Sequence, residues 1–350
     1  MTEIVDYIKS FLLYGSTEAA AMVGYTADEK EWNKYKIVIV PNGKLGKEIV
    51  MPSMENPQAE ALTIGGHNVV VVREDIIYNT FFFISRAEEL ICDKRDEHGR
   101  FAAKYSILGE KNRMQIPIVD EYARFLTKTL ERICTEAGED CPTGLPKQGF
   151  STINLTHDVD TISHYRRLRG AIGGICRGQW RKVLASLLNI ADDPAYTFPW
   201  IMRQDETIRR HYPQTRMIYF VKHTRGRGYD YPQYRLSGKD YKHLESMLLR
   251  HGANIGLHSS YYGEIKNPMA LHRSHYLRCS IRQMQCLVDF GVTDDYTMGF
   301  ADVAGFRLQT TRPVRWINPE TMTLTPLTLH PLTVMDATLS SAHYMNLSED

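Results

Sequence analysis

The chain has 350 residues, enough for more than one domain. Its 43% hydrophobic and 24% charged residues are ordinary for a folded globular protein and exclude a disordered one. A formal net charge of +1 points to neither nucleic acid nor an acidic membrane, and no apolar run is long enough to span a bilayer.

At the start, Glu3 and Asp6 precede Phe11, Leu12 and Leu13. That stretch has no positive n-region and no small-residue cleavage site, so a cytoplasmic location is expected. Lys36–Val40 and Asn68–Val72 are β-branched runs bounded by turn residues and predict buried strands. Thr80–Leu90 and Val119–Ile133 predict helices, which makes residues 1–135 a small α/β domain. Between them, the charge run Asp93–Phe101 reads as a solvated loop. Residues 136–150 carry Gly138, Pro142, Gly144, Pro146 and Gly149, which break any helical period and predict a linker. From 151 to 350 strands and helices alternate. The strand candidates are Ser151–Leu155, Arg216–Val221, Ala253–Leu257, Tyr296–Phe300 and Leu332–Met335. The helix candidates are Gln179–Leu188, Pro199–Tyr212, Gly238–His251 and Ser280–Phe290. Such alternation implies a parallel sheet covered on both faces, either a barrel or an open doubly wound sheet. Trp180, Trp200 and Trp316 read as core or interface packing. The six cysteines form no CxxC pair and read as reduced thiols, although Cys134 and Cys141 could bridge a loop.

Polar residues gather at the carboxyl ends of these strands, where β/α proteins place their chemistry. The first strand runs out into His157, Asp158, Val159 and Asp160; the second ends at Lys222, His223 and Thr224; the third ends at His258, Ser259 and Ser260. Two carboxylates so close are costly unless a cation joins them, and a divalent metal is the simplest one. Asp and His from separate strands make a mixed oxygen and nitrogen donor set that suits Zn²⁺. The plainer alternative is that Asp160 and Thr161 cap the next helix.

Three motifs in order carry a resemblance: Thr156-His157-Asp158-Val159-Asp160, Gly256-Leu257-His258-Ser259-Ser260-Tyr261, and His272-Arg273-Ser274-His275-Tyr276-Leu277-Arg278. They are similar to the successive motifs of polysaccharide deacetylases of the NodB-homology type, carbohydrate esterase family 4. Phe82–Glu89, Asp96–Phe101 and Pro117–Tyr122 resemble the N-terminal α/β accessory domain of a two-domain bacterial branch of that group. The resemblance implies a smaller α/β domain followed by a distorted (β/α) barrel that removes N-acetyl groups from amino sugars of a poly- or oligosaccharide with a divalent metal, zinc first. Position by position, it implies Asp158 as general base, Asp160 and His258 as metal ligands, and Arg273 as the arginine that orients the base.

The chain departs from that pattern twice. The family's second metal-binding histidine stands one helical turn after the first, and here that place is Tyr262. His223 is the candidate replacement, with His272, His275 or a water as alternatives. The family's general acid is a histidine on the last strand; the candidate here is His330, which precedes the expected strand Leu332–Met335. The segment Thr224–Arg235 mixes Arg225 and Arg227 with Tyr229 and Tyr231. Arg225 and Tyr229, with Tyr261 and Tyr262 beside His258, are candidate sugar contacts, because tyrosine faces stack on pyranose rings and arginines hold anionic substituents. A surface loop covering a rim is the alternative. The resulting expectation is a carbohydrate N-deacetylase. A catalytically silent barrel that binds glycans or serves as a scaffold is the second reading, and another C–N hydrolase acting on a small amide is the third.

Overall fold

The structure is a computed structural model that describes residues 1–54, 56–110, 113–142, 151–222, 228–230, 234–262, 265 and 267–347. The chain divides into two compact units, Met1–Gln148 with Tyr276–Asp350, and Gly149–His275. Both are mixed α/β. Among the described residues, no helix is long and apolar enough to cross a membrane.

The first unit begins with helices α1 (Thr2–Leu12) and α2 (Thr17–Met22) and continues through strands β1 (Val23–Tyr25), β2 (Ile37–Ile39), β3 (Ala59–Ile64) and β4 (His67–Val72). These strands form a sheet in the order β1-β2-β4-β3, parallel except for the antiparallel pair β3/β4. Val38, Val69 and Val71 pack on Trp32, as their alternation requires. Helix α3 (Ile76–Ile84) is buried on every side, so it forms a core rather than a surface helix.

The single helix expected over Thr80–Leu90 is interrupted. Arg86 adopts φ +64° and α4 (Glu88–Ile91) starts afresh. That turn lets the buried Arg86 guanidinium reach both Glu89 and the Cys279 carbonyl. Residues 93–101 form a loop as expected, with Asp93, Lys94, Glu97 and Gly99 exposed, but it is tied inward at one point. Asp96 accepts the backbone N–H groups of His98 and Arg100 and pairs with the nearly buried Arg100 side chain at 2.7 Å. Helices α5 (Ile107–Glu110) and α6 (Ile118–Ala137) complete the N-terminal part.

The second unit holds β5 (Ile153–Val159), α7 (Leu168–Cys176), α8 (Trp180–Leu188), α9 (Phe198–His211), β6 (Thr215–Lys222), α10 (Lys239–Arg250), β7 (Asn254–Ser259) and β8 (Leu271–Ser274). Its strands are all parallel, in the order β5-β6-β7-β8. Strand β5 runs four residues past its expected end, which puts Asp158 inside the sheet. Val159, Met217, Tyr219 and Val221 meet Phe198 and Met202 of α9 and Tyr241, Leu244 and Leu248 of α10 in one core.

The first unit then takes up α11 (Ile281–Asp289), β9 (Asp294–Met298), β10 (Val314–Asn318), β11 (Thr323–Pro331) and α12 (Asp336–Ser340). Strand β9 is parallel to β11, and β10 is antiparallel to it. The expected strand Leu332–Met335 is absent, because β11 ends at Pro331. The six cysteines are all free. Trp316 is fully buried as expected, but Trp180 and Trp200 are 54% and 59% exposed.

Candidate metal centre

Side chains two apart on a strand share a face. Thr156, Asp158 and Asp160 therefore line up along one side of β5 and its extension, while the intervening Val159 enters the core. His157, inside the same motif, is turned the other way. Its Nε2 lies 2.8 Å from the buried Asp205 carboxylate of α9, which also accepts the Tyr219 hydroxyl.

Parallel register brings three further strand ends alongside. Lys222 is opposite His258, and His258 is opposite Arg273. Arg273 is buried. It donates from Nη1 to Asp158 Oδ1 at 3.2 Å and from Nη2 to Thr156 Oγ1 at 2.8 Å, and its guanidinium lies over the Phe220 ring. Gly256 makes room for that ring: a Cβ there would stand 2.7 Å from Phe220. Desolvation pushes the Asp158 carboxyl up, but the neighbouring His258 and the charge and hydrogen bond of Arg273 outweigh it and hold it below the usual carboxylate range.

His258 is 1% exposed. Its Nδ1 faces the Arg273 carbonyl at 3.0 Å, and a carbonyl can only accept, so Nδ1 carries the proton. The Nε2 lone pair is thereby aimed at His275 Nδ1 at 2.8 Å, Asp160 Oδ1 at 3.7 Å and Asp158 Oδ2 at 3.8 Å. A backbone acceptor that fixes the tautomer of an imidazole is the usual support for a metal-ligating histidine. His275 Nδ1 stands 3.6 Å from Asp160 Oδ1. Burial, then the neighbouring His258 and Lys222, push its pKa below the ordinary histidine value.

Asp160, His258 and His275 thus offer one carboxylate oxygen and two imidazole nitrogens within 4.8 Å of one another. Four-coordinate zinc with bonds of about 2.0–2.1 Å puts its donors roughly 3.3 Å apart, which the separations of 2.8, 3.6 and 3.7 Å bracket. Donor types, spacing and the fixed tautomer all fit a divalent ion. One cation is already there: Lys222 Nζ donates to Asp160 Oδ1 at 2.8 Å and faces His275 Nε2 at 3.4 Å.

A shelf of tyrosines follows. Tyr229 and Tyr261 have ring centres 4.8 Å apart, and Tyr261 and Tyr262 meet edge to face at 5.2 Å. Asp230 anchors this stretch, accepting the Tyr261 N–H at 2.6 Å and the Ser260 hydroxyl. Tyr262 is exposed, as a stacking surface requires.

The structure therefore brings together Asp158, Asp160, His258 and Arg273, and groups Tyr229 with Tyr261 and Tyr262. The candidate ligand His223 and the candidate sugar contact Arg225 lie outside the described residues, as do Arg227 and Tyr231. His330 belongs to β11 of the other unit, where its Nε2 meets Asp294 at 2.7 Å and its ring stacks on Tyr296.

Residues 10–135 match a family described as a family of unknown function (DUF7033). That stretch contains none of the residues grouped here. No curated protein and no solved structure matches the chain.

Two participants carried too little signal. Lys222 ends β6 and invited no role. His275 follows a strand of only four residues, too short to read from periodicity, so it stood only among the alternatives.

Proposed function

We propose that this protein is a metal-dependent carbohydrate N-deacetylase. The observation that carries the reading is the Asp160, His258 and His275 donor set at parallel strand ends, with Asp158 beside it and fixed by Arg273. The order of motifs along the chain supports the family assignment and, with it, a barrel of which β5–β8 would be part. A divalent ion, once bound, would polarise the amide carbonyl and acidify water. Asp158, kept ionised by Arg273, accepts a proton from the attacking water. The C–N bond breaks as acetate forms, and Asp158 returns that proton to the departing amine nitrogen. The tyrosine shelf offers flat faces for sugar rings.

The test combines metal analysis with an acetate-release screen on N-acetylated sugars. The wild type is expected to hold about one equivalent of zinc, as a single three-ligand site implies. Asp158→Asn should retain that metal and lose acetate release. Asp160→Ala and His258→Ala should lose the metal on dialysis. Acetate release persisting in Asp158→Asn refutes the assignment of the base.

A second reading is favoured by Lys222. Its ammonium already satisfies Asp160 and faces His275, as expected of a silent barrel that binds glycans without a metal. Purified protein that stays metal-free in the presence of zinc, yet binds oligosaccharide, would select that reading.

A further inference from the structure

Helices α7 and α8 turn their apolar stripes away from the protein. In α7 the exposed residues are Leu168, Ile172 and Ile175; in α8 they are Trp180, Leu184, Leu187 and Leu188. These spacings of three and four place each set along one helix face. The small and short side chains face inward instead. Gly174 lies against Val183 and Tyr165 so closely that a Cβ would stand 2.6 Å from Val183. All seven apolar residues are more than half exposed, from 51% to 80%, which is unusual for neighbouring large side chains on a globular surface.

Within the segment that carries both helices the charge is of one sign, and Asp192 and Asp193 follow it. Residues 161–191 contain six arginines and lysines and no aspartate or glutamate. Arg166 is used internally, paired with Asp240 and bonded to the carbonyls of Ser186 and Leu187 at the end of α8. Arg181 lies over the ring of the exposed Trp180. The whole chain carries only +1, so this cationic field is local.

An outward apolar stripe with a tryptophan, bracketed by cations and free of acids, is the composition of a helix that lies in the interface of a bilayer. We propose that the α7–α8 hairpin is a docking surface for anionic phospholipid membranes. The apolar stripes enter the headgroup boundary and the arginines meet lipid phosphates. The surface shares no residue with the metal centre, so the two assignments stand or fall separately.

The full-length protein is mixed with vesicles of phosphatidylcholine alone, or with roughly 30% phosphatidylglycerol, and floated on a density gradient. The wild type should float with the anionic vesicles at least about tenfold better than with the neutral ones and show a blue shift of tryptophan emission. Binding should fall by at least about tenfold in the doubly substituted Leu184→Asp, Leu187→Asp chain, and also in Arg181→Glu, Lys182→Glu. Asp160→Asn should float as the wild type does, whatever becomes of the metal. Trp180→Phe should still float but lose most of the blue shift. Because that substitution is mild, it decides the matter should the aspartate variant fail to fold. The proposal is overturned if the wild type does not float, if the aspartate variant folds and floats unchanged, or if Trp180→Phe keeps the full shift. It is also overturned if the wild type proves to be a dimer that the aspartate variant turns into a monomer, because the face then belongs to a second copy.

Discussion

Lys222 decides how readily the donor set can take an ion. Its ammonium donates to Asp160 and to His275 Nε2, which leaves the His275 proton on Nδ1, facing His258 Nε2. A divalent cation must displace that proton and share Asp160 with a positive neighbour. Lys222→Met removes both obstacles and should tighten zinc binding by about tenfold or more, measured against a competing chelator. Unchanged affinity would show that Lys222 does not compete. Arg273 poses the complementary question, because its fork spans Asp158 and Thr156 while its plane rests on Phe220. Arg273→Lys keeps the charge but cannot hold all three partners. Acetate release should fall by about 10- to 100-fold with metal content unchanged. Asp158, Asp160 and His258 were legible because strand ends concentrate chemistry and the apolar runs before them are clear. The role of Lys222 was not, because an ion pair across strands depends on register, which one strand's sequence does not carry.

At the scale of elements, helices α8 to α11 fall within a residue or two of their expected spans, since each has an apolar face of helical period. Period alone does not say which side that face meets. In α9 and α10 it meets the core; in α8 the same kind of stripe meets solvent, and Trp180 lies outside where packing was expected. The hairpin depends on a tight internal contact instead of a broad apolar one. Gly174→Val should therefore destabilise it by about 1–3 kcal/mol, because the added methyl groups have no space beside Val183 and Tyr165. Urea unfolding followed by far-ultraviolet circular dichroism measures the loss, and a variant as stable as the wild type would place the hairpin's stability elsewhere. Helix α7 escaped the sequence because its three glycines argue against a helix locally; they are tolerated where close packing demands small residues.

At the scale of the whole molecule, the first unit is stitched from two distant parts of the chain, and charge holds part of the seam. Glu89 is buried between Arg86, 2.8 Å from one carboxylate oxygen to Nε, and Arg307, 2.6 Å away and late in the sequence. Burial raises its pKa, but the two guanidinium charges prevail and bring it down to about 2 from an ordinary 4.5. A carboxylate depressed in the folded state contributes stability that is complete above its unfolded pKa and is lost as pH falls toward the folded one. The neighbouring Glu88 runs the opposite way: burial raises its pKa, so acid down to the ordinary value favours the fold. Loss of stability should accordingly begin below about pH 4.5 and amount to roughly 3 kcal/mol by pH 2. Near-ultraviolet circular dichroism of the buried Trp316, whose indole donates to the Ser85 carbonyl in this unit, reports the transition. Glu89→Gln tests the cause. It leaves two buried arginines without their shared anion and should cost about 3–5 kcal/mol at neutral pH. It should also flatten the acid limb, because the titrating group is gone. A variant that is destabilised but keeps the full acid limb would move the pH dependence to other carboxylates.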